Sequence, residues 1–344
     1  MGDGGRASSK VTPVSPESSG RPSTSYVSTG HLPAPETVTA LVEAAHERFR
    51  DNTDGTVSDV YPALARVPSD LFGLCVVGTN GAMHAAGDCD ASFSVMSVSK
   101  PFVFAIVCDV LGPEAVRERI GVNATGLPFN ALAAMERSID GRTNPMVNPG
   151  AIAASSLVPG ATLEQKWAFL FEGLSRFAGR PLATNEEVLA CALASNARNQ
   201  AIGQLLRSYG LVGDPAEALE LYTRQCSLDV TAKDLAVMGA TFADGGINPL
   251  TKERVIDGET GKRALAVMAT AGLYETSGDW LYDVGLPGKS GISGGLVTVS
   301  PGKGGLGVFA PRLDGTGNSI KGQLVARYLS DRLGLSLFAS KAEP

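Results

Sequence analysis

The 344-residue sequence predicts a mixed α/β (α+β) fold: an antiparallel sheet built from an early and a late hairpin, packed with helices and carrying a large helical insertion. Two observations predict the sheet and a third predicts the insertion. Asn80-Gly81 stands between two short apolar stretches, a strong signal of a tight hairpin turn. Late in the chain, "GGLVTVS" (294–300) and "GGLGVFAP" (304–311) alternate small and apolar residues around "PGKG". From Ser97 to about Met268 the pattern is mainly helical, and several segments end in Gly as helices often do.

The elements follow in order. Residues 1–33 are rich in Gly, Ser, Pro and Thr; such a segment buries too little apolar area to offset its chain entropy and is expected to be a disordered tail. Residues 34–344 are expected to form one domain, with a helical subregion over about 97–268. A helix is expected over Thr37–Arg50. Strands are expected over Leu71–Val77 and Met83–Gly87, a helix over 97–111, the two late strands, and a final amphipathic helix near "SIKGQLVARYLSDRLG". No long parallel βαβ unit and no G-x-G-x-x-G motif is seen, which disfavours a dinucleotide fold.

Composition excludes several classes of function. The net charge is −6 and the pI about 5.2, with no basic stretch, so nucleic acid is not an expected partner. The longest apolar runs, such as "PFVFAIVCDVLG", are too short to span a bilayer, and no secretory h-region is visible. The chain begins Met-Gly, but Arg6 stands where a myristoylation signal needs Ser or Thr. The five cysteines are odd in number, scattered and without a C-x-x-C, the usage of a reduced, cytoplasmic protein; each reads first as a small buried hydrophobe. Of the three histidines, His31 lies in the tail, His46 on an expected solvated helix face, and His84 after the Asn-Gly turn. None neighbours a Ser, Cys or carboxylate suggestively, so a His-based triad and a His metal site are both disfavoured. No zinc-ligand pattern appears among the cysteines and histidines.

The candidate chemistry starts at "MSVSKP". Ser97 and Lys100 lie i to i+3 at the expected start of a helix, on one face, with Pro101 tolerated in the first turn. A serine there has its N–H at the positive end of the helix and a lysine amine within reach of its proton. Lys100 would have to be neutral. Its pKa must fall from about 10.4 towards about 7 or 8, a shift of roughly three units or on the order of 4 kcal/mol. Burial under "FVFAIV" supplies that through desolvation. A second copy, Ser300 to Lys303, sits in a Gly/Pro hairpin turn where exposure would leave the lysine charged. Alone, the first copy reads first as a helix N-cap beside a solvated lysine. Lys289-Ser290-Gly291 on a late strand adds to it: Ser-x-x-Lys on the first core helix with Lys-Ser/Thr-Gly on a late strand is the pairing of serine β-lactamases and penicillin-binding proteins.

Islands of Asn, Tyr and Gly interrupt the helical sequence: "NPMVNPGAI" (144–152), "ARNQAIG" (197–203), "YTRQCS" (222–227) and "GLYETSGDWLYDVGLPGKSGISGG" (272–295). With "YPALA" (61–65) and "MSVSKP", they resemble the serine-dependent glutaminase family over about 40–338. The resemblance implies a β-lactamase/transpeptidase-like fold without cofactor, hydrolysing L-glutamine to L-glutamate and ammonia. It makes Ser97 the nucleophile, Lys100 its base, and Tyr274 a neighbour that helps move the proton. It makes Tyr61, Asn148, Asn199, Tyr222, Tyr274 and Ile292 binding positions, with the N–H groups of Ser97 and Ile292 as the oxyanion hole. It also implies a homo-oligomer, dimer or tetramer. One position departs. Where the family carries a Glu that meets the substrate amino group, seven residues before Asn199, this chain has Ala192, with Cys191 before it. Two other readings therefore stand beside a glutaminase: a different Ser/Lys acyl hydrolase (β-lactamase, esterase or peptidase), and a weakly active or non-catalytic amide-binding relative.

Overall fold

A computed structural model describes residues 30–339. The expected tail falls mostly on residues 1–29, outside the described residues. Helix α1 (Pro35–Phe49) leads to strands β1 (Gly73–Gly78) and β2 (Met83–Gly87), joined at Asn80-Gly81 as expected. The helical region comprises α2 (Lys100–Leu111), α3 (Asn148–Ser156), α4 (Leu163–Ala178), α5 (Glu186–Ala194), α6 (Ala197–Ser208), α7 (Pro215–Cys226), α8 (Ala232–Ala243) and α9 (Gly258–Ala271), besides shorter helices. Strands β3 (Gly288–Ser290), β4 (Gly295–Ser300) and β5 (Gly304–Phe309) follow, then α10 (Ile320–Leu333).

The five strands form one antiparallel sheet in the order β2-β1-β5-β4-β3. Early and late hairpins meet where β1 pairs with β5, Gly73 opposite Phe309 and Gly78 opposite Gly304. Strand β1 reads as a continuous apolar run because both its faces are covered. Leu74 and Val76 pack with Val38 and Val42 of α1 and Val325 and Leu329 of α10, whereas Cys75 and Val77 pack with Ala236 and Ala240 of α8. Helix α8 lies flush on β5. A Cβ at Gly307 would stand 2.2 Å from the Ala232 carbonyl oxygen, so only glycine fits there. Thr231 and Asp234 fix the start of α8 as a capping box, and Arg180 grips Asp234 through two hydrogen bonds of 2.7 and 2.6 Å. Beyond α8, Phe102, Phe177 and Phe242 meet ring to ring at about 5 Å and centre a second core among the helices. Edge strand β3 therefore faces the start of α2 across the join between sheet and helices.

Three details differ from expectation. His46 is half-buried and stacks on Phe72 at 4.9 Å, rather than standing in solvent. Ser300 is buried at the end of β4 and donates to the Leu335 carbonyl, while half-buried Lys303 donates to the Gly334 carbonyl. The chain after α10 covers the turn that carries them. Small sheets at Thr56–Val57 with Arg312–Leu313, and at Phe93–Ser94, Ala183–Thr184 and Leu228–Val230, were not expected; strands of two or three residues carry no readable period.

Candidate active site

Ser97 lies where the chain turns sharply from Phe93–Ser94 into α2. The expected helix start at 97 is instead a 3-10 turn over Met96–Ser99, and α2 begins at Lys100. Met96 has φ of +47°, a left-handed backbone a bulky residue seldom adopts, and this bend turns the serine towards a cavity. The turn places Ser97 and Lys100 three residues apart on one side of the chain. Ser99 closes the turn by donating to the Met96 carbonyl at 2.8 Å.

Lys100 is 1% exposed, within an α2 whose first nine residues are all buried. Burial pulls its pKa down to about 8, with the neighbouring Cys226 opposing weakly. Its Nζ donates to Asn148 Oδ1 at 2.7 Å and to the Met146 carbonyl at 3.4 Å. Asn148 opens α3 and is the hub of the site. Its Oδ1 also accepts from the Tyr222 hydroxyl at 3.0 Å, and its Nδ2 donates to Asn199 Oδ1 at 2.9 Å. Burial raises the Tyr222 phenol far above its ordinary value and the Tyr61 phenol to about 12. Both are neutral donors at physiological pH.

Ser97, Tyr61, Asn148, Asn199, Tyr222 and Ile292 surround one cavity of about 150 Å³. It is small beside the roughly 300–1,000 Å³ of drug-sized pockets, which points to a small substrate. Ala192 of α5, 3% exposed, also lines it. Tyr274 does not line the cavity but lies behind the serine. Burial raises its phenol, and the nearby Ser97 hydroxyl works against that rise. Its own hydroxyl donates to the Ser290 carbonyl at 3.3 Å. Tyr274 too is left-handed, with φ of +59°.

The turn after β3 completes the corner. A Cβ at Gly291 would lie 3.3 Å from the Ser97 nitrogen, so the glycine lets the strand edge close on the serine's backbone. Among the described residues neither the Ser97 nor the Ile292 N–H donates to a protein acceptor, and Ile292 follows Gly291 directly. Lys289 is fully buried, 4.1 Å from the Tyr274 ring centre, its Nζ donating to the Ser290 carbonyl at 2.5 Å. Burial, then the adjacent Lys100, push its pKa well below the ordinary lysine value. Sequence reasoning flagged the Lys289 motif but not its contact with Tyr274, and did not find Asn130, Arg198 or Cys226 at the cavity. A loop Asn, a surface Arg and a helical Cys carry no distinguishing signal. A larger cleft of about 520 Å³ lies between Glu114 and Thr143, without a serine–lysine pair. No group of three or more metal-ligating side chains occurs among the described residues, and no described helix is long and apolar enough to cross a membrane.

A serine beneath a buried lysine, at the junction of an antiparallel sheet and a helical layer, defines the class of β-lactamase-like acyl hydrolases. The likeness to known proteins narrows it. The family model described as Glutaminase matches residues 55–338. "Glutaminase 2" of Yersinia pestis is 65% identical over 317 residues, covering 92% of this chain and 93% of that one. A solved structure titled "Probable glutaminase ybaS" superposes with a TM-score of 0.87 at 40% identity, covering 89% of this chain and 99% of that one. Another, of "Mglu in its glutamate form", gives 0.83 at 36%, covering 89% and 71%. The chain belongs to the glutaminase family of amidohydrolases, and its activity is that of a glutaminase.

Proposed function

We propose that the chain hydrolyses the side-chain amide of L-glutamine through a Ser97 acyl-enzyme, with Lys100 as base. One observation carries the assignment: the hydrogen bonding of Lys100. A neutral amine has two N–H bonds and one lone pair. Asn148 Oδ1 and the Met146 carbonyl accept two N–H bonds, and no carboxylate pairs with Lys100 among the described residues. The lone pair is then uncommitted, and it is the acceptor we assign to the proton of Ser97, three residues before it on the same side of the turn.

Ser97 Oγ attacks the amide carbon while its proton passes to Lys100, directly or through the Tyr274 hydroxyl. The negative charge on the carbonyl oxygen is met by the N–H groups of Ser97 and Ile292. Each such donor is worth about 10²–10³ in rate. The C–N bond then breaks as the lysine's proton goes to the departing nitrogen, releasing ammonia and leaving a γ-glutamyl ester on Ser97. Water, giving its proton to the same lysine, attacks that ester. Collapse returns the proton to Ser97 and frees glutamate. Tyr61, Asn148, Asn199 and Tyr222 bind the remainder of the substrate as neutral donors and acceptors. The solved relative titled as a glutamate form supports a site matched to this product. Ser97→Ala should remove ammonia release from glutamine almost completely while leaving the circular dichroism spectrum unchanged. Release within tenfold of the native rate would refute the mechanism.

The dimer or tetramer remains a proposal that rests on the family resemblance. Light scattering of the purified chain tests it. The expected cytoplasmic location rests on cysteine usage, and all five cysteines are free.

A further inference from the structure

The cavity beside Ser97 has an unusual charge balance for a site that takes an amino acid. A glutamine presents a carboxamide to the nucleophile and, at its other end, a carboxylate and an ammonium. Among the described residues no Asp or Glu lines this cavity. Its one ionised side chain is a cation, Arg198, whose Nε donates to the Asn130 carbonyl at 3.0 Å. Lys100 and Lys289, the lysines nearest the serine, are both buried, neither pairs with a carboxylate among the described residues, and as neutral amines in the working site they leave Arg198 as the cation of the lining. Helix α5 brings no acid inward. Its wall position is Ala192, and Glu187, in its first turn, is turned outward to pair with Arg66 on the surface.

Such a field favours an entering carboxylate and disfavours an entering ammonium. The neutral oxygens nearby, those of Ser195, Asn196 and Asn199, can accept from an ammonium but do not offset its charge. We infer that the site accepts a wider class than free amino acids: five-carbon acids with a terminal carboxamide, a carboxylate at the far end and an uncharged α-carbon. Ala192 is the specificity-determining position, because it leaves the α-substituent of the substrate facing an uncharged wall. The inference rests on the glutaminase reading and deepens it. The chemistry at the amide is unchanged; only the claim on the α-amine is relaxed.

The test compares ammonia release by the full chain from L-glutamine and from glutaramate, the same carbon chain without the amine. A carboxylate–ammonium pair typically contributes tenfold to over a hundredfold in affinity. Without one, kcat/KM for glutaramate should fall within tenfold of that for glutamine, or exceed it. Glutarate should likewise inhibit at least as well as L-glutamate, a comparison that needs no variant. Ala192→Glu should lower KM for glutamine and depress kcat/KM for glutaramate, widening the ratio at least tenfold. If glutamine is hydrolysed and glutaramate lags more than tenfold in the native chain, the inference falls and the glutaminase reading stands. If neither amide releases ammonia, the glutaminase reading falls and the inference with it.

Discussion

Lys100 is kept at a cost to the fold. A lysine whose folded pKa is about 8 against an ordinary 10.5 binds fewer protons folded than unfolded between those values. Stability therefore rises with pH through that window, and the penalty is complete below about 8. Lys100→Met should abolish activity yet raise Tm by several degrees at pH 7, and by less near pH 10, as replacing a buried unpaired charge with an apolar side chain commonly does. Thermal melts of both proteins at the two pH values check this; equal Tm gains at both would exclude the lysine as the cause. The same residue sets an activity profile. With Lys100 as the proposed base, active only when neutral, kcat/KM should climb with pH and level off above about 8, measurable by ammonia release in overlapping buffers. Much at this scale was legible from residue types: Ser97 and Lys100 by their spacing, and the asparagines and tyrosines by resemblance. The left-handed Met96 and Tyr274 were not, because nothing in the identity of Met or Tyr announces that backbone.

Among the elements, the seating of α8 on β5 holds the sheet against the helical layer. Gly307→Ala would drive a methyl to within 2.2 Å of the Ala232 carbonyl oxygen, a contact only backbone movement relieves. A cost of about 1–3 kcal/mol is expected, seen as a lower urea midpoint with little change in the slope of the transition. An unchanged midpoint would show that α8 floats free of the strand. The long strands and helices were legible because their periods repeat several times, and the Asn80-Gly81 turn because it demands a particular chemistry. The 3-10 turn at Met96 and the two-residue strands were not, since each is fixed by packing from distant segments. The displaced start of α2 is one such case: the left-handed Met96 bends the chain, and the regular helix starts only at Lys100.

For the whole molecule, the decisive contact is the pairing of Gly73–Gly78 with Gly304–Phe309, strands separated by most of the chain. Long-range antiparallel pairing closes late, after the helical layer has had time to collapse on itself. Refolding from denaturant should therefore show helical circular dichroism first and recovery of glutaminase activity later, in seconds or longer. A chain truncated after Gly302, lacking β5 and α10, should show no cooperative unfolding transition. Simultaneous recovery of both signals would argue against late sheet closure.

The backbone on either side of Ser97 has a consequence for evolution. Met96 at φ +47° and Tyr274 at φ +59° flank Ser97, and each conformation costs on the order of 1 kcal/mol or more. Glycine at 96 would remove that strain but would also strip a buried side chain from the core, a loss of about 2–5 kcal/mol that outweighs the relief. Thermostable descendants of this enzyme are therefore expected to retain a bulky left-handed residue at 96 and to draw their stability from elsewhere in the fold.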